Sequence, residues 1–143
     1  LEDINDLKLA GLMHDIGKVG INENILKKQG QLTEAERTEM KKHPEIGYHI
    51  LRTVDEYAPI AEYVLYHHER IDGNGYPRGL KGNEINLQSK IISIADAYDS
   101  MTNERFNKST LNMAEAIAEI KRNAGTKYDP AIVRMFVEKV IEM

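Results

Sequence analysis

His67-His68-Glu69-Arg70-Ile71-Asp72-Gly73-Asn74-Gly75-Tyr76-Pro77 begins with two adjacent histidines closing an apolar, helix-like run and passes at once into a glycine-rich loop. Such a loop cannot continue the helix, and its glycines let backbone approach a ligand closely. The doublet therefore offers a pair of imidazole donors on a rigid element beside that loop. Two further dense spots flank it, His14-Asp15-Ile16-Gly17-Lys18 upstream and Ala95-Asp96-Ala97-Tyr98-Asp99 downstream. Histidines and carboxylates on three separate segments point to a polynuclear metal centre doing hydrolysis.

The bulk properties narrow this further. A chain of 143 residues is one domain with enough length to bury a core. No apolar run approaches the roughly 20 residues needed to span a bilayer, and no signal-peptide pattern is present. Cysteine is absent, which excludes disulfides, thiolate zinc sites and thiol catalysis together. A metal here must be held by His and carboxylate, a donor set that suits iron, manganese, cobalt, nickel or zinc. The net charge of -4 speaks against a nucleic-acid polymer as partner but not against a small anion, because bound cations reverse the field locally. The first residue is Leu1, so the chain is expected to be a piece of a longer polypeptide.

The pattern along the chain predicts an all-α bundle of about six helices. Residues 3–16 form the first, with Ile4, Leu7, Gly11 and Met13 at mixed helical spacing and His14 at its end. Asn22 or Asn24 caps a short turn that stops near Gly30. Thr33 with Glu36 is a capping box opening a helix to about Lys42. Pro44 suits a first helical position, with Ile46, Ile50, Leu51 and Val54 as the apolar face. Pro59 opens the next helix, on which Ile60, Val64 and His67 share a side. Residues 70–88 form one long irregular connection, a length that in a compact domain usually marks function. Ser89 caps a helix through Ser100, Asn112 starts another that ends at Gly125, and Asp129-Pro130 opens a terminal helix to about Glu142.

His14 and Asp15 point about 100° apart on a helix, yet reach one centre if the helix ends there, as Gly17 implies. A carboxylate bridges two ions through its two oxygens, whereas an imidazole binds one, so this pair can start a dimetal site. The plainer reading is a histidine resting on a helix C-terminus. Either of His67 and His68 alone would read as a satisfied core histidine; a doublet followed by Glu-x-x-Asp-Gly-x-Gly-Tyr-Pro is harder to dismiss. Asp96 lies one turn after Ile92, in a segment with few exposed-looking residues, which favours a buried ligand over a solvated face.

Together these motifs resemble the HD-GYP domain, a branch of the HD phosphohydrolases of bacterial signalling proteins. The matching elements are His14-Asp15-x-Gly17-Lys18, His43-Pro44-Glu45-x-Gly47, and His67-His68-Glu69-x-x-Asp72-Gly73-x-Gly75-Tyr76-Pro77-x-Gly79-Leu80-x-Gly82. They continue through Ala95-Asp96-x-Tyr98-Asp99-x-Met101-Thr102-x-x-Arg105 to Gly125-Thr126-x-Tyr128-Asp129-Pro130. The match runs from about residue 7 to the end, and its histidine-to-glycine stretch is the most specific part.

The resemblance implies two divalent ions, Fe or Mn first, with Zn, Ni, Co or Mg as alternatives. His14, Asp15 and Asp96 would hold one, and Asp15 would bridge to a second held by His43, His67 and His68. A hydroxide between them would attack phosphorus. Lys18, Arg105 and Lys108 would contact substrate phosphates, and Gly75, Tyr76 and Pro77 would shape one side of the site. Glu69 and Asp72 would support the histidines or the loop, and His49 would be structural. Arg105 and Lys108 also read as solvated charges on one helical face.

Family members carry one more helix ahead of the His-Asp motif, bearing a further ligand. Only thirteen residues precede His14 here, and Asp6 would lie about 12 Å along a helix from it. The first site is therefore expected to be one ligand short, with weak metal binding, and a third metal is not expected. The implied activity is hydrolysis of cyclic di-GMP to the linear dinucleotide and onward to GMP, in the bacterial cytoplasm. Cyclic GMP-AMP is a related substrate. The alternatives are a general HD nucleotide phosphohydrolase, or a non-catalytic module contacting a diguanylate cyclase (GGDEF) or adaptor domain. No membrane contact is expected of this domain, and a homodimer is compatible with the family.

Overall fold

The structure, a computed structural model, describes residues 2–103 and 109–141. Its elements are α1 (Glu2–Met13), α2 (Glu23–Leu26), α3 (Glu34–Met40), α4 (His43–Leu51), α5 (Ala61–Leu65), α6 (Leu87–Thr102), α7 (Met113–Arg122) and α8 (Pro130–Met135). Short 3-10 turns cover Ile16–Gly20, Ala58–Ile60 and Gly82–Glu84, and α8 runs on as a π-helical stretch, Phe136–Ile141. Among the described residues there is no strand, only two isolated bridges, Asp72 with Lys81 and Ala124 with Tyr128. Nor is any helix there long and apolar enough to cross a membrane. The all-α expectation holds; the helices number more than six because two of them are single turns.

Local chemistry sets the ends. Thr33 and Glu36 form the expected capping box, Asn112 forms another with Glu115, and the Asp129 side chain accepts from the Ala131 N–H ahead of Pro130. Asn22, not Asn24, caps α2. Three expectations need correction. Helix α1 stops at Met13, so His14 and Asp15 lie in the turn beyond it rather than in a helix reaching residue 16. The cap of α6 is Asn86, whose side chain accepts from the Ser89 N–H. Ser89 is fully buried instead, and its hydroxyl donates to the Tyr63 carbonyl at 2.8 Å, tying α6 to α5. Finally, α4 buries His43, Pro44, Gly47 and Leu51, while Ile50 and Val54 are exposed. Its inner stripe steps by four from His43 through Gly47 to Leu51, so Ile50 faces solvent, and Val54 lies in the turn beyond the helix.

Two apolar clusters hold these helices. One gathers Ala10, Leu51, Ile60, Ala61, Val64 and Ile92 beneath the turns that carry the histidines. The other joins Ile94, Ile120, Tyr128, Val133 and Val137. Helix α6 serves both, since Ile92 and Ile94 point in different directions. Asp96, four residues after Ile92, shares the first side and is carried toward the histidines.

Candidate metal centre

Helix ends build this centre. An α-helix leaves its last carbonyls without partners. Gly11 at the end of α1, Met40 at the end of α3 and Val64 near the end of α5 each accept a bond from a histidine Nδ1 three residues on. The distances are 2.6 Å for His14, 2.8 Å for His43 and 2.5 Å for His67. A carbonyl only accepts, so each Nδ1 carries the proton and each Nε2 is turned toward the interior. This is how proteins hold a metal-ligating imidazole in one tautomer and orientation.

The segments are drawn together by contact between backbones. Gly17 packs against the His43 carbonyl and the Gly47 amide so closely that a Cβ there would overlap both. That contact brings the 14–15 turn onto the start of α4. Gly75 plays the same part in the loop: a Cβ would meet Glu69 Cα and the His68 carbonyl at 2.6 Å each. The Tyr76 N–H donates to the His68 carbonyl at 3.2 Å, so the loop folds back over the doublet.

Two groups of three result, His43, His67 and His68 in one and His14, Asp15 and Asp96 in the other. Within each group one ligand atom per residue lies within 4.8 Å of the others. The six residues expected as ligands thus lie in two groups, divided as the resemblance implies. Asp15 stands between the groups. Its Oδ2 is 3.2 Å from His14 Nε2, and its Oδ1 is 3.4 Å from His43 Nε2. The rings of His14 and His67 are 5.3 Å apart, so the groups are adjacent.

The donors fit metal ions. His43 Nε2 and His67 Nε2 are buried and have no hydrogen-bond partner. A buried nitrogen lone pair without a partner is costly, and one facing a carboxylate oxygen more so, unless a cation lies between them. Electrostatics separates the two groups. Burial, reinforced by the neighbouring imidazoles, holds His67 down at about 4 and His68 at about 2, so both are neutral donors. Burial also opposes charge on His14, but its bonds to Asp15 and Asp96 outweigh that and raise it to about 10. Asp15 and Asp96 are in turn lowered despite burial, chiefly by His14.

Around the ligands, Lys18 Nζ lies 3.3 Å from Asp15 Oδ2. The Tyr76 ring stacks on His68, with centroids 5.0 Å apart and planes 17° apart, and Pro77 follows through a cis peptide bond. Buried Glu69 accepts from the Arg78 and Leu80 N–H groups at 2.7 and 2.8 Å, which makes it a brace for the loop. Asp72 pairs with Arg70 at 2.6 Å and accepts from the Asn74 N–H. His49 is exposed and stands apart from the centre. Arg105 and Lys108 lie outside the described residues. Sequence reasoning missed Gly17 and Gly47 as a backbone contact and Lys41, whose ammonium sits 5.4 Å from the centre of the Tyr76 ring.

Known proteins are similar to this chain. A family model described as HD domain matches residues 2–132. The cyclic di-GMP phosphodiesterase of Thermotoga maritima is 42% identical over 139 residues, covering 94% of this chain and 37% of that protein. The cyclic di-GMP phosphodiesterase response regulator RpfG of Xanthomonas campestris pv. campestris is 39% identical over 137 residues, covering 92% and 35%. The 3′3′-cGAMP-specific phosphodiesterase 3 of Vibrio cholerae is 39% identical over 124 residues, covering 87% and 27%. The chain therefore spans about a third of the length of such curated relatives. In fold it is similar to the crystal structure of a cyclic GMP-AMP-specific phosphodiesterase of V. cholerae. The TM-score is 0.67 at 22% identity, with 98% of this chain and 38% of that one covered. The chain belongs to the HD domain family, in its HD-GYP form.

Proposed function

We propose that this domain is a metal-dependent phosphodiesterase that opens cyclic di-GMP to the linear dinucleotide and carries it on to GMP. The observation that carries the reading is the pair of adjacent donor groups with Asp15 between them, and the Nε2 atoms of His43 and His67 buried without hydrogen-bond partners. Relatives named for hydrolysis of cyclic di-GMP support the substrate class, and the cGAMP-specific relative makes cyclic GMP-AMP the second candidate. Their bacterial origin supports a setting in the bacterial cytoplasm.

His14, Asp15 and Asp96 would hold one divalent ion, and His43, His67 and His68 a second, with Asp15 touching both. Fe or Mn heads the reading, ahead of Zn, Ni, Co and Mg. Such a pair supplies Lewis-acid charge to a phosphodiester and lowers the pKa of water. The chain does the rest. Imidazole ligands would leave the cationic charge of the second site intact, whereas two carboxylates would offset it at the first. That inequality gives the phosphate oxygens a more positive side to face. Lys18, a third exposed and anchored on Asp15 Oδ2, would add positive charge beside the reacting phosphate as negative charge grows on its oxygens. Gly75, Tyr76 and Pro77 wall the histidine side. Arg105 and Lys108 complete the phosphate contacts in this reading.

The test is product formation from cyclic di-GMP by the chain loaded anaerobically with Fe(II) or Mn(II). Linear dinucleotide followed by GMP is expected, with a diester preferred over a nucleoside monophosphate. Stoichiometric metal with no product from either cyclic di-GMP or cyclic GMP-AMP would sink the reading. Monoester turnover exceeding diester turnover would instead assign a general nucleotide phosphohydrolase.

A further inference from the structure

Lys41 is a cation beside the centre for which neither the family motifs nor the ligand geometry has a use. Its neighbours along the chain are engaged: Lys42 bonds Glu39 at 2.8 Å, Lys28 bonds Glu36 at 2.6 Å, and Lys18 bonds Asp15. Lys41 has no carboxylate within ion-pair distance among the described residues. Its ammonium instead lies 5.4 Å from the centre of the Tyr76 ring, and that ring stacks on His68. The Lys41 backbone ends α3 and stands two residues before buried His43. An exposed lysine is thus anchored at its base by a helix end and at its tip by an aromatic face. The result is a positive charge held at the rim, one ring away from the buried histidines, with no carboxylate paired to it among the described residues.

A cyclic dinucleotide carries two phosphodiesters on one ring. Only one of them can be attacked at a time, and the other is an anion that must be held near the centre without reacting. We infer that Lys41 is a specificity residue, binding the non-scissile phosphate of the cyclic dinucleotide from the Tyr76 side. This rests on the proposed phosphodiesterase reading and adds a residue to it. Lys18 would then serve the reacting phosphate and Lys41 the resting one. A substrate with a single phosphodiester has nothing to offer Lys41.

The experiment compares the full chain with Lys41→Met and Lys41→Arg, using cyclic di-GMP and bis(p-nitrophenyl) phosphate, a diester with one phosphate. The ratio of kcat/KM for cyclic di-GMP over the aryl diester should fall about tenfold in Lys41→Met, the size expected for one charge-assisted contact. The fall should appear in KM, with kcat for cyclic di-GMP changing less than about threefold, and Lys41→Arg should restore most of it. The Kd of cyclic di-GMP, measured calorimetrically, should rise by the same factor. An equal loss on both substrates would reduce Lys41 to a prop for Tyr76 and overturn the inference, as would no change on either. If the unaltered chain turns over neither substrate, the phosphodiesterase reading fails, and the Kd comparison still decides Lys41. A tenfold weaker Kd in Lys41→Met keeps its binding role; an unchanged Kd, or no binding at all, removes it.

Discussion

The two candidate ligand groups meet at Asp15, which belongs to one and lies 3.4 Å from His43 of the other, and they differ in nearly everything else. His43 and His67 are almost wholly buried, and their group consists of imidazoles alone. His14, Asp15 and Asp96 keep 23%, 31% and 19% of their side chains exposed and include two carboxylates. In the first group burial keeps His67 and His68 neutral at physiological pH, and the Nε2 atoms of His43 and His67 have no hydrogen-bond partner. The second satisfies itself when empty, because protonated His14 lies 3.0 Å from Asp96 and 3.2 Å from Asp15. A buried site is therefore ready for metal and uncomfortable without it, while an open site is comfortable without it and must give up a proton to fill.

The largest way to break the comparison is to remove what the groups share. At metal concentrations that fill the weakly binding first site as well, Asp15→Ala should hold fewer than one ion per chain where the parent holds two, and phosphodiester turnover should fall about 10³-fold. Elemental analysis beside kinetics checks both. Retention of two ions would mean that Asp15 does not join the sites. Single-site variants come next: His67→Ala should empty the imidazole group alone, and His14→Ala the acidic group alone. Each should cost about 10²-fold in activity, the upper range for disturbing a metal ligand's environment.

Those two variants also isolate the proton. At pH 8 His14, raised to about 10, is charged and must lose its proton to bind metal, whereas His67, held at about 4, has none to lose at Nε2. Metal binding to His67→Ala should release about one proton, and binding to His14→Ala close to none. Calorimetry in two buffers of different ionisation heat separates the cases. Stability of the metal-free chain should follow the same division. A raised pKa stabilises the fold below the unfolded value of 6.5, and the His14 contribution is lost as pH climbs from there toward about 10. A depressed histidine acts oppositely, so His67 destabilises the fold as pH falls from 6.5 toward about 4. Thermal unfolding across pH 4–10 should peak near neutrality, and a monotonic curve would contradict this electrostatic division.

How much of this contrast is legible in the sequence depends on range. The six candidate ligands are readable because each sits in a short motif of chemically unusual residues, and His67-His68 with Gly75-Tyr76-Pro77 is specific enough to name the family. Their partition into an imidazole group and an acidic group follows from the resemblance, and the structure assembles the same two sets. What could not be read is how they are held. The bonds from His14, His43 and His67 to Gly11, Met40 and Val64 depend on where three helices stop, and helix ends are the least determined feature of a periodic pattern. Gly17 looks like a turn residue until the backbone of α4 is found against it. Ile50 and Val54 look like core because apolar spacing alone cannot register that His43 and Gly47 occupy the inner face of α4.

The smallest expected effect sharpens the comparison most, because it touches one group without touching the other. Tyr76 stacks on His68 and contacts neither His14 nor Asp96 through any ring or hydrogen bond described. Aromatic stacking of this kind contributes about 0.5–1.5 kcal/mol beyond burial, which corresponds to roughly a three- to tenfold change in an equilibrium constant. Tyr76→Leu should therefore weaken metal binding at the imidazole group by about that factor and leave the acidic group within error of the parent. The His14→Ala and His67→Ala backgrounds allow each affinity to be read alone. Tyr76→Phe keeps the ring and should match the parent at both. If Tyr76→Leu weakened both sites equally, the loop would be acting on Asp15 as well as on His68, and the buried and open groups would be one mechanical unit rather than two.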